Sequence, residues 1–126
     1  MIPSKMVMTD SKKGFMSKIE NTEYCLFYVT FPDLQAAQVI CHKLLEERLI
    51  ACSNLFNGVH SQYWWDNKIE SAQETVGILK SLATQKSAIE LFLKQNHPYQ
   101  NYCLLQITIA DGSNKYLDWL FNNLKK

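Results

Sequence analysis

The stretch "ACSNLFNGVHSQYWWDNKIESAQETVGILKS", residues 51–81, constrains the fold more than any other part of the chain. Asp66-Asn67 stands between two strand-like arms, and short polar residues that tolerate positive φ suit a two-residue hairpin loop. The arms therefore fold back on each other. With Trp65 facing Lys68 across the turn, strand alternation puts Val59, Ser61, Tyr63 and Trp65 on one side with Glu70, Glu74, Val76 and Ile78. His60, Gln62 and Trp64 point the other way, and Asn57-Gly58 reads as a bulge in the first arm. Arms of about eight residues reach some 26 Å, further than two helices of ordinary length cover. An uncovered tip bearing Tyr63, Trp64 and Trp65 calls for cover from outside the subunit.

The flanking segments are shorter and more conventional. "YCLFYVTF", from Tyr24 to Phe31, is aromatic and β-branched without a turn former, the pattern of a strand buried on both faces. Asp33 can cap a helix running to about Leu49, with Ala37, Ile40, Cys41, Leu44 and Arg48 on its packed face. Thr84 can cap a second helix, from Gln85 to about Asn96, which packs through Ala88, Ile89, Phe92 and Leu93. Pro98 disfavours helical geometry at His97 and has no backbone donor, so that helix stops there. "YCLLQITIA", residues 102–110, alternates with Cys103, Leu105, Ile107 and Ile109 inward. After a turn at Asp111-Gly112, Asn114 can cap a last helix that packs through Tyr116, Leu117, Leu120, Phe121 and Leu124. The order strand, helix, strand, strand, helix, strand, helix is an α+β plan: the ferredoxin-like split βαβ with an extra C-terminal helix.

Composition narrows the function. Thirteen basic and 12 acidic residues leave a net charge of +1, too little positive field for nucleic acid to be the main partner. No run approaches the roughly 18 apolar residues of a membrane span. The four cysteines, Cys25, Cys41, Cys52 and Cys103, form no CxxC pair and stand in stretches that read as buried, which suits a reducing, cytoplasmic compartment. Residues 1–22 are polar, with no apolar block, and read as a disordered tail ahead of one domain over 23–126. Gly-rich phosphate loops, HExxH and Gly-x-Ser-x-Gly are absent, so a non-catalytic role is expected.

Six motifs in order, "VTFPD" (29–33), "EERLIACSN" (46–54), "GVHSQYWWDNKI" (58–69), "ILK" (78–80), "HPYQ" (97–100) and "YLDWL" (116–120), resemble the CutA family, the divalent-cation tolerance proteins. The resemblance runs from about Tyr24 to Leu124. It implies a ferredoxin-like subunit in a tight homotrimer, similar in build to the PII signalling proteins, in which the ribbon of one copy pairs edge to edge with a neighbour. It also implies a role in tolerance or binding of copper and other divalent metals, with no settled reaction.

Some members have metal ligands on the first strand and at a histidine pair before Pro-Tyr. Those positions here are Val29, Asn96 and His97, so His97 alone remains of the three. Where the family usually reads Pro-Glu after its HPY segment, this chain has Tyr102-Cys103. A metal held by Cys103, Cys52 and His97 would be copper(I) or zinc rather than magnesium or calcium. His97 equally suits the plainer role of ending its helix, with its ring bonded to terminal carbonyls, and Cys52 that of a packed small residue. Cys41 and His42, adjacent on a helix, diverge by about 100° and do not share a metal. A second expectation, similar in plan to PII, is a small anionic ligand in a subunit cleft lined by Trp65, Tyr99 and Lys80.

Overall fold

The structure, a computed structural model, describes residues 23–125. The expected tail, residues 1–22, lies outside the described residues. Along the chain come β1 (Tyr24–Phe31), α1 (Leu34–Glu46), β2 (Cys52–Trp65), β3 (Lys68–Leu82), a 3-10 turn (Ala83–Gln85), α2 (Lys86–Asn96), β4 (Leu104–Thr108) and α3 (Asn114–Asn122). The strands form one antiparallel sheet in the order β2-β3-β1-β4.

The ribbon is longer than its sequence suggested. Trp65 pairs with Lys68 around Asp66 and Asn67, whose φ values of 53° and 60° give the left-handed turn that matches strand twist. The register slips between Phe56 and Val59, where Gly58 takes φ 72°, a conformation that glycine adopts without a Cβ clash. Beyond that bulge the ladder continues to Cys52 opposite Lys80, so the arms have 14 and 15 residues. At Gly77 a different constraint applies, because an added Cβ would come within 3.0 Å of the Phe31 ring.

The core lies on one face of the sheet, beneath α1 and α2. Cys25, Phe27, Val29 and Phe31 of β1 meet Ile40, Leu44, Leu79, Ile89 and Leu93 there. Burial along β1 alternates instead of being complete on both faces, because α1 and α2 both lie on this face while α3 reaches only the base of the other. At the base of the opposite face, Leu120 and Leu124 pack on Leu82, next to Tyr24 and Ala51. Val76 on that face is buried, but much of the remainder is open, with Phe56 at 54% exposure, Leu105 at 56% and Ile107 at 45%.

This bareness corrects the reading of β4. Leu105 and Ile107 pair with Tyr28 and Leu26, the β1 residues that point away from the helices, so they are not inward within the subunit. Alternation identifies two faces but not which one the helices will take. Helix ends also differ. Asp33 caps α1 as expected, its Oδ1 accepting from Ala36 N–H at 2.8 Å. Arg48 is not on a packed face: it takes φ 57° and stays exposed, ending α1 and turning Leu49 and Ile50 into the core. Thr84 falls in the 3-10 turn, leaving Gln85 at the start of α2 without a side-chain cap. Asn114 is the first residue of α3, and Ser113 precedes it without a capping hydrogen bond. Ala88 and Tyr116, expected to pack, are exposed.

Candidate functional site

The joint after α2 forms because Pro98 cannot continue a helix. His97 takes an extended conformation, φ −75° and ψ 136°, while its N–H still donates to Leu93 O at 2.7 Å. The side chain then folds inward to 8% exposure, among the rings of Phe31, Tyr99 and Tyr102 at centroid distances of 5.3, 5.0 and 5.3 Å. Nδ1 accepts Tyr99 N–H at 3.0 Å, which assigns the ring proton to Nε2, and Nε2–H donates to Thr30 O at 2.8 Å. His97 thus ties the joint to β1 rather than to the end of its own helix, and both ring nitrogens are in use.

Beside it, Tyr99 Oη–H donates to Glu74 Oε2 at 2.8 Å, fastening the joint to the middle of the ribbon. Burial, and then the hydrogen bond to Glu74, push the Tyr99 phenol well above its usual range. Burial, reinforced by Glu74, also raises the Cys103 thiol, so it stays protonated and is a poor spontaneous thiolate. Burial lowers the His97 pKa from 6.5, partly opposed by the Thr30 carbonyl and the Glu74 carboxylate.

The sign of that last shift gives a prediction. The unfolded chain binds a proton at His97 near pH 6.5, whereas the folded chain resists it. Its stabilising contribution is therefore complete above about pH 6.5 and is lost as pH falls from there through the folded value. Denaturant titrations between pH 7.5 and 5 should show stability falling, with a shallower slope in His97→Gln. Equal slopes in the two proteins would refute it.

At the base of the ribbon is a second polar cluster. Lys80 Nζ donates to Tyr116 Oη at 3.1 Å and lies 5.2 Å from the centre of that ring. Cys52 is opposite Lys80 in the ladder, with its Sγ 4.0 Å from Asn54 Oδ1. The Tyr116 hydrogen bond raises the Lys80 pKa against a smaller opposing effect of burial.

The residues expected at a site are thus distributed along the ribbon. Trp65 is at its tip, Tyr99 is bonded to Glu74 midway, and Lys80 is at the base, with about 20 Å between successive positions by strand rise. Within one subunit they do not line a single cleft. Cys103 and His97 share the surroundings of Glu74, while Cys52 faces Lys80 at the other end. Among the described residues, no group of three or more His, Cys, Asp or Glu is placed to hold a metal. The thiols also divide: Cys25 and Cys41 are buried as expected, whereas Cys52 and Cys103 are only partly covered. His42 and His60 are exposed, and His42 lies 3.6 Å from Glu46.

Sequence reasoning missed two partners, Glu74 for Tyr99 and Tyr116 for Lys80. The available signal for the second was the i, i+3 spacing of Tyr116 and Trp119, which places both rings on one side of α3. A shallow groove of about 550 Å³ between α1 and β2, lined in part by Val39, Leu45 and Leu55, contains none of the expected site residues.

Comparison with known proteins agrees with this architecture. The model of the CutA1 divalent ion tolerance protein family matches residues 25–123. The divalent-cation tolerance protein CutA of Pyrococcus horikoshii is 38% identical over 101 residues, covering 80% of this chain and 98% of that one. The crystal structure of CutA1 from Oryza sativa superposes with a TM-score of 0.81 at 31% identity, over 82% of this chain and 95% of that one. That of CutA from Archaeoglobus fulgidus, described as periplasmic, superposes at 0.79 and 33%, over 81% and 99%. With a family match that runs from β1 through α3, the chain belongs to the CutA1 divalent ion tolerance family.

Proposed function

We propose that the protein acts as a homotrimer in the cytoplasm, in tolerance of divalent cations, copper among them, by binding rather than by catalysis. The observation that carries this reading is the family match over residues 25–123. The strand order β2-β3-β1-β4 supports a ferredoxin-like split βαβ subunit. The bare sheet face and a ribbon tip with Trp64 and Trp65 at 71% and 61% exposure support assembly, because a lone subunit would leave large apolar area in water.

The soft donors favour copper(I) or zinc over magnesium or calcium. One subunit's residues do not fit a closed metal site, since His97 already uses both nitrogens and Cys52 is far from Cys103. The ion would be a weakly held cargo, bound by Cys103 or Cys52 with donors from a sister copy, and with His97 only if it released Tyr99 or Thr30. Titration of reduced protein with copper(I) should show saturable binding that weakens in Cys103→Ser or in Cys52→Ser. Absence of saturation, or binding unchanged in both variants, would remove the metal role.

A second reading, a PII-like scaffold or sensor of a small ligand without metal, is favoured by one observation. Lys80 has no carboxylate within 4.0 Å among the described residues, the ion pairs there being His42–Glu46 and Lys86–Glu90.

A further inference from the structure

α3 stands apart from the main core. Its nine residues are fewer than the roughly 12 that an isolated helix needs, so its order depends on what it touches. Leu120, with Leu124 just beyond the helix, packs on Leu82 in a cluster separate from the one beneath α1 and α2. At its start Ser113 makes no capping hydrogen bond, and residues 110–113 leading into it are exposed. Lys80 holds the first turn through Tyr116 Oη.

The other end is tied to two distant turns. Arg48 Nη1 donates to Asn123 O at 3.3 Å, Lys125 N–H donates to Arg48 O at 2.8 Å, and Gln85 Nε2 donates to Lys125 O at 2.9 Å. A guanidinium beside a helix C-terminus also suits the negative end of the helix dipole. All three bonds join residues of one chain, so they do not depend on which faces sister copies cover.

Arg48 is an unusual residue for the turn it occupies. Its N–H bonds to Leu45 O, and Leu49 N–H bonds to Leu44 O, both at 3.0 Å, the pattern in which glycine commonly ends a helix. A φ of 57° is free for glycine and costly for arginine. The end of α1 gains nothing from this side chain, whereas the end of α3 gains a cap.

We propose that α3 is a strap that opens as one unit from the base of the sheet, with Arg48 and Gln85 as its latch. Opening bares Leu82, Tyr24 and Ala51, which Leu120 and Leu124 cover when the strap is closed. Tyr24 lies on the same side of β1 as Leu26 and Tyr28, so the bared strip is continuous with the face proposed to meet sister copies. The strap thus sets how much of that face the chain covers by itself, and this role is independent of any metal or small ligand.

Amide hydrogen exchange on the full chain tests both parts of the proposal. In the parent, the α3 amides, with those of Asn123 and Lys125, should exchange faster than those of β1, with one opening constant and the weak urea dependence of a partial opening. In Arg48→Gly they should exchange about five-fold faster, because glycine keeps the α1 turn and only the guanidinium bond is lost. Gln85→Leu leaves Arg48 in place and removes the other side-chain tie. It should quicken the same amides several-fold, and it decides the matter should Arg48→Gly not fold. The strap is overturned if the α3 amides exchange only together with β1. The latch is overturned if they keep the parent rate in either folded variant, or if their faster exchange takes on the strong urea dependence of β1.

Discussion

Replacing Phe27 with alanine is expected to destabilise the protein by about 3–5 kcal/mol. The ring is fully buried at the centre of β1, between Leu79 on β3 and Gln106 on β4, within the cluster that joins both core helices to the sheet. Truncation removes the transfer energy of the ring and leaves a cavity, because two hydrogen-bonded strands cannot close in from the sides. Against the roughly 5–15 kcal/mol that holds a domain together, this is a large fraction. Urea titration at fixed protein concentration should show a much lower midpoint with an unchanged slope. A loss below about 1 kcal/mol would mean that this core is not packed as described.

Leu105→Glu should have as large an effect, but on assembly. The side chain is 56% exposed within one subunit, so a carboxylate there costs a separated subunit almost nothing. In the proposed trimer it would be buried against a sister copy, together with Phe56 and Ile107 on the same face. An unpaired carboxylate buried at such a contact costs several kcal/mol per copy, and symmetry repeats the penalty at every interface. Light scattering at micromolar concentration should give three times the subunit mass for the parent and the subunit mass for the variant. A variant that stays trimeric would remove this face from the interface, and a parent that is monomeric would remove the trimer.

Local chemistry made much of the fold legible. The Asp66-Asn67 turn, the Trp65–Lys68 register, the Gly58 bulge and the Asp33 cap each depend on residues within a few positions of each other. The bounds of β1 agree for the same reason: "YCLFYVTF" has no turn former inside it and Pro32 directly after. Helix starts at Thr84 and Asn114 were misplaced, because several residues there could cap and none does so in the folded chain. The inward side of β4 was also misread, since Leu104 packs on the core while the more apolar pair Leu105 and Ile107 faces away.

For the candidate site, residue types were legible but companionship was not. His97 could be identified as the member of its joint able to hold a metal or a proton. Its commitment to Thr30, 67 positions away, could not. The same holds for Tyr99 with Glu74 and for Lys80 with Tyr116, 25 and 36 positions apart. The sequence by itself determined the elements, the hairpin register and the family, because these follow from near neighbours and from motif order. Only the tertiary structure decided which face the helices cover and which side chains meet, because strand pairing brings distant residues to one level of the sheet by a geometry that no local pattern encodes.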